Sequence, residues 1–248
     1  QAVGNFYSSK YVELTVPGFY FEKIKKSVAK FHYSLDGAIT ISNNEVGFFE
    51  HNGDLEVESV YLIIRFSKRV RKEGSLFTAG YLYQYIGKAR VIDKDHPDYA
   101  VCEAFEIQSQ VERGDILIPY RSVRRTLLIE DNFTNFSKTD AKIISFADPI
   151  NTLGGEGDIA YIDRGESHGI ERGQLFKVYI NSFKNIPRYM RSAYEKNEAS
   201  YIGFMRIIDT TKIGATGYIL MSTRELSKDD FVGSGWLYWL TWNTKRKA

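Results

Sequence analysis

Tyr85-Ile86-Gly87-Lys88-Ala89-Arg90-Val91-Ile92-Asp93 recurs further along the chain as Tyr201-Ile202-Gly203-Phe204-Met205-Arg206-Ile207-Ile208-Asp209. Six of the nine positions are identical, and Val91 faces Ile207 as a β-branched pair. A self-match of this kind signals a duplicated folding unit and is read before any single element. The spacing continues downstream, where Ala100 leads to Gly114-Asp115 and Ala215 to Asp229-Asp230 over the same distance. Upstream, Val60-Tyr61-Leu62-Ile63 aligns with Ala160-Tyr161-Ile162-Asp163, and Gly74-Ser75-Leu76-Phe77 with Gly173-Gln174-Leu175-Phe176. Gly37 to Ser42 aligns likewise with Ala141 to Ser145. The expected organisation is a segment 1–36, a first β unit 37–120, a linker 121–138, a second unit 139–233 and a tail 234–248.

Each unit has the period of strands. Val60, Leu62, Ile64 and Phe66 alternate with Tyr61, Ile63 and Arg65, which places them on opposite faces. Gly165, Gly169 and Gly173 punctuate one run, with Ile170 expected to plug the core between them. Gly87, Gly203, Gly114 and Asp115 stand at repeat positions with turn or close-packing character. Tyr and Phe number 17 and 16 against only 5 Pro, a composition suited to strands joined by tight turns. The fold class read here is mainly β, with two tandem small barrels or sandwiches and one short amphipathic helix. That helix is placed at about Phe21 to Tyr33, because Phe21, Ile24, Val28 and Phe31 follow its period.

Composition excludes several functions. A net charge of +2 from 33 basic and 31 acidic residues demands no nucleic acid or other polyanion. The single cysteine, Cys102, precludes an internal disulfide framework and a multi-cysteine zinc site. It aligns with Gly217 and reads as a small buried hydrophobe. No stretch approaches the ~20 apolar residues of a spanning helix, and Gln1 to Asn5 shows no signal-peptide pattern. His32, His51, His96 and His168 are scattered without a metal-ligand spacing. Gly154 to Asp158 lacks the lysine ending of a phosphate loop and reads as a turn. Asp93 and Asp209 recur at one repeat position, where Asx turns are the expected role. No catalytic, cofactor or metal site is expected.

A family resemblance rests on the second unit. Ala160-Tyr161-Ile162-Asp163-Arg164-Gly165 followed by Gly169-Ile170-Glu171-Arg172-Gly173-Gln174-Leu175-Phe176-Lys177-Val178-Tyr179 resembles the C-terminal region of LysM-type bacterial envelope proteins. Among these are the secretin-associated proteins of type IV pili (TsaP type), whose region is similar to the C-terminal domain of the flagellar H-ring protein. Val111 to Tyr120 resembles the ending that precedes the second unit in that family. No LysM pattern occurs in residues 1–36, so peptidoglycan contact is expected only through a domain not seen in this chain. The first unit has Arg65 and Arg69 near the places of Gly165 and Gly169.

The resemblance implies a non-enzymatic periplasmic scaffold, a homo-oligomeric ring component around an outer-membrane secretin or flagellar rings. Trp236, Tyr238, Trp239 and Trp242 form the most aromatic stretch and are candidate partner contacts. Residues 185–200 read as an insertion that the first unit lacks, and as a second candidate contact. An alternative is a glycan- or polyanion-binding module using Arg65, Arg69 and Arg71 within the strip to Lys72, with Arg121, Arg124 and Arg125.

Overall fold

The computed structural model describes residues 10–71, 78–129, 136–148, 151–180 and 201–233. They divide into two compact units, Pro17–Val123 and the pair of segments 1–16 and 124–248. Nearly all regular structure is strand. In the first unit these are β2 (Gly18–Phe21), β3 (Ala29–Ser34), β4 (Thr40–Ile41), β5 (Val46–His51), β6 (Val60–Arg71), β7 (Thr78–Asp93), β8 (Tyr99–Phe105), β9 (Val111–Glu112) and β10 (Ile116–Pro119). The other holds β1 (Lys10–Thr15), β11 (Arg124–Ile129), β12 (Ala141–Phe146), β13 (Leu153–Gly154), β14 (Ile159–Ile162), β15 (Leu175–Tyr179), β16 (Tyr201–Thr210), β17 (Ala215–Ser222), β18 (Leu226–Ser227) and β19 (Phe231–Gly233).

Each unit is a closed six-stranded barrel. The first runs β7-β6-β10-β3-β5-β8 and closes onto β7, with β2 added along the outer length of β7. The second runs β16-β15-β19-β12-β14-β17 and closes onto β16. Strand for strand, the connectivity is the same, and even the two-residue ladders β4–β9 and β13–β18 correspond. Closure removes the free sheet edges that would otherwise invite pairing with other chains.

Three β-bulges fix the equivalence residue by residue. The β3–β5 register slips between Phe31 and Tyr33, and the β12–β14 register between Ile143 and Ser145. β6–β7 slips between Ile63 and Ile64, β15–β16 between Val178 and Tyr179. β7–β8 slips between Val91 and Asp93, β16–β17 between Ile207 and Asp209. A bulge inserts one residue and bends its strand, so matching bulges give both barrels the same curvature.

The bulges confirm the downstream frame of the repeat and correct its upstream frame. Gly87 matches Gly203, and Cys102 matches Gly217, as the sequence indicates. Val60-Tyr61-Leu62-Ile63, however, matches Leu175-Phe176-Lys177-Val178, while β14 corresponds to β5. β12 corresponds to β3, so the first barrel opens well before residue 37. The supposed insertion disappears as well. Residues 65–84 lie between Ile64 and Tyr85, and 180–200 lie between the matching Tyr179 and Tyr201, equal in length within one residue.

The helix expected over Phe21 to Tyr33 is absent. Ala29–Ser34 is a strand that pairs with β5 and β10, and Phe31 is fully buried in the first core. Ile24, which the helical period places inside, is 64% exposed. Long-range ladder pairing overrides the local period here. The expected linker also contains β11, which pairs antiparallel with β1 over Lys10 to Thr15.

The interiors are filled. Phe31, Phe49, Ile63, Ile86, Val91 and Leu117 pack in the first, and Ile143, Ile162, Phe176, Met205, Ile207 and Ile219 in the second. Ile170 plugs the second core as expected, and Leu55 holds the matching place in the first. At the turn before β15, Gly173 is left-handed with φ +92°, and its N–H donates to Ile207 O at 2.8 Å. Glu58 does the same in the first barrel, with φ +63° and a 2.9 Å bond to Val91 O. That turn, and not Arg65 or Arg69, is the first unit's counterpart of the glycine-rich run.

Candidate functional site

Two aspartates close the barrels at equivalent points. Asp115 and Asp230 are buried, and each accepts from the backbone N–H three residues earlier, of Glu112 at 2.8 Å and of Ser227 at 2.7 Å. Their carbonyls accept from Phe31 and Ile143, which seats β10 on β3 and β19 on β12. Gly114, left-handed at φ +104°, lets the chain enter this turn, and Asp229 fills the same position at φ +74°. These groups shape the barrels.

The cations read as a surface strip divide sharply. Arg65 is held by Asp115 through Nε and Nη2 at 2.8 Å each, by Glu112 at 2.7 Å and by the Gln110 carbonyl. The Asp115 carboxylate beside it raises its pKa above the ordinary arginine value. Arg125 is equally committed, with Nη2 2.7 Å from Asp209 and Nε 2.9 Å from the Ile208 carbonyl. Arg121 lies over the Phe19 ring at 4.9 Å. Arg69 and Arg71 stay exposed on the part of β6 that runs past the barrel.

That projecting part of β6 and β7, backed by β2, carries an aromatic ladder. Phe66, half exposed, meets Tyr83 at 5.8 Å and Tyr81 at 6.4 Å, and Phe21 meets Tyr83 at 5.7 Å. Lys25 lies over Phe21 at 5.0 Å and Arg69 over Tyr81 at 5.8 Å, geometries in which ring quadrupoles attract cations. A second ring cluster escaped sequence reading. His32 and His96 flank Tyr99 at 5.8 and 5.5 Å, and Tyr33 joins Phe48 at 5.2 Å. The histidines are far apart in sequence, and both reach Tyr99 because β3, β5 and β8 are neighbours. Among the described residues no group of three His, Cys, Asp or Glu is arranged to hold a metal.

The remaining sequence candidates resolve as follows. Asp93 does form an Asx turn, accepting from the Asp95 N–H at 3.0 Å. Asp209 does not: it is buried within β16 and paired with Arg125. Gly165 admits the close passage of Thr211 and Gly214, whose backbone atoms lie 2.2–2.5 Å from where a Cβ would stand. Gly169 ends the short 3-10 turn Glu166–His168. Gly87 and Gly203 pack where a Cβ would meet Ile107 and the Met221 carbonyl at 2.3 and 2.4 Å. Trp236, Tyr238, Trp239 and Trp242, and residues 185–200, lie outside the described residues.

Cys102 is fully buried, and desolvation pushes its thiol up from the ordinary 9.0 to about 12. A thiol-specific disulfide reagent at pH 8 is therefore expected to leave native protein unmodified and to titrate one thiol in denaturant. The unfolded thiol ionises first, so its contribution to stability falls as pH rises from about 9 towards about 12. Rapid labelling of the native protein at pH 8 would contradict this placement.

No protein-family model matches the chain, and no curated protein matches it either.

Proposed function

We propose that this chain is a non-enzymatic scaffold component of a bacterial envelope machine, part of a periplasmic ring around an outer-membrane secretin or flagellar outer rings. The observation that carries the reading is the use to which its chemically able groups are put. The buried aspartates among the described residues, Asp115, Asp209 and Asp230, join strands or anchor arginines, and the one thiol is sealed in a core. Two barrels with the same bulges and filled interiors make stiff blocks, the property a ring protomer needs. The likeness of residues 160–179 to the LysM-type envelope family supports the location and the ring. Among the described residues no helix is long and apolar enough to cross a membrane.

The strip-binding alternative loses ground because Arg65 and Arg125, two of its cations, are held by internal aspartates. Affinity isolation of the tagged full-length protein from detergent-solubilised envelopes tests the proposal. Co-isolation of a secretin or of flagellar ring proteins at stoichiometric yield is expected. Recovery of the protein as a monomer with neither would reject it.

A further inference from the structure

The duplicated barrels differ in charge at one equivalent place. In the first, Arg90 on β7 faces the carboxylate of Glu103 on β8 at 3.8 Å. Its match in the second is Arg206 on β16, and Glu103 is matched by Tyr218. Arg206 has thus lost its acid. Its Nη1 donates to the Leu128 carbonyl at 2.8 Å, and its Nε is buried without a hydrogen-bond partner among the described residues. The adjoining turn changes in the same sense, because Val57 of the first barrel is matched by the exposed Arg172. β11, which has no counterpart inside the first barrel, brings Arg124 to the same spot.

Together these residues line a cleft of about 310 Å³, with Arg124 and Arg125 contributed by β11, Arg172 and Gly173 by the turn before β15 and Arg206 by β16. Arg125 is paired with Asp209, and among the described residues no acid pairs with Arg172 or Arg206, the other two guanidinium groups on which the site depends. The Arg172 turn is fixed in place, since Gly173 N–H donates to Ile207 O and Ile207 N–H donates back to Gln174 O. Guanidinium groups brought together repel one another, and their planar forks fit the paired oxygens of carboxylate and phosphate.

We propose that this cleft binds a small, multiply charged oxyanion, with Arg172 and Arg206 as its principal contacts. The site stands apart from the scaffold reading and holds whether or not the chain builds a ring. It lies in the other barrel from the strip on β6 and shares only Arg124 and Arg125 with the polyanion alternative, its principal contacts being Arg172 and Arg206.

Calorimetric titration of the whole chain with inorganic pyrophosphate and, separately, with citrate at low ionic strength is the test. Saturable one-to-one binding of at least one is expected, weakening as sodium chloride is raised because exposed charges are screened. Tighter pyrophosphate would identify a phosphate ligand, and tighter citrate a polycarboxylate. Arg172→Glu should weaken binding by roughly tenfold or more, the scale of a lost charge-assisted contact. Arg172 is exposed on its turn, so this variant should keep the parent's thermal melt. Arg206→Lys provides a second variant that retains the charge but not the fork, and should weaken the preferred anion less than Arg172→Glu does. Failure of both anions to bind, or binding unchanged in a folded Arg172→Glu protein, overturns the proposal.

Discussion

Arg125→Met is expected to destabilise the second barrel unit by about 3–5 kcal/mol, the scale at which removing one member of a buried ion pair acts. The Arg125 and Asp209 side chains are only 10% and 5% exposed, and their Nη2–Oδ1 separation is 2.7 Å. The substitution also removes the bond from Nε to the Ile208 carbonyl, so β11 loses two of its attachments to β16. The cost arises chiefly from leaving the Asp209 charge in a poorly hydrated place. Arg125→Met with Asp209→Leu removes that charge too, and should recover much of the loss. Urea unfolding of the three proteins measures this. A single Arg125→Met variant within ~0.5 kcal/mol of the parent would show that water reaches the pair and that burial has been overstated.

That pair also shows why part of the site stayed hidden in the sequence. Asp93 and Asp209 occupy one repeat position, and an Asx turn is a local property that a sequence displays. Whether an acid meets a cation on a strand some eighty residues away is decided by which strands become neighbours, and Asp209 meets Arg125 only after β11 reaches β16. Likewise His32 and His96 converge on Tyr99 through barrel order, with no spacing to announce it.

Barrels, in contrast, were legible, because β7 and β16 keep their identical residues and their alternation. The upstream half slipped by one strand for a definite reason. Phe49 is replaced by Ile162, Gly47 by Ala160 and Tyr61 by Phe176, so the match survives in burial but not in letters. Val60-Tyr61-Leu62-Ile63 happens to share its tyrosine with Tyr161 of β14 and no letter with its true match Leu175–Val178, so a search by identity prefers β14. The helix misread over Phe21 to Tyr33 has the same origin, since a strand containing a bulge loses its strict period of two.

Exchange of volume between equivalent positions yields the other large effect. Gly217 has no side chain because Met205 fills its space: a Cβ built there would lie 2.0 Å from Sδ and 2.5 Å from Cγ. In the first barrel the matching residues are Cys102 and Ala89, both fully buried, so the larger side chain has changed strands. Gly217→Cys alone should cost about 1–3 kcal/mol by overpacking. Met205→Ala alone should cost about 2–5 kcal/mol by opening a cavity. The double variant recreates the pairing of the first barrel, with the cysteine sulfur entering the room vacated by the thioether, and should sit well above the sum of the two losses. Urea unfolding of all four proteins gives the coupling directly. A strongly favourable coupling means that both barrels solve one packing problem in two ways. Additive losses would mean that the two interiors differ in shape, and that the shared bulges alone do not make them equivalent.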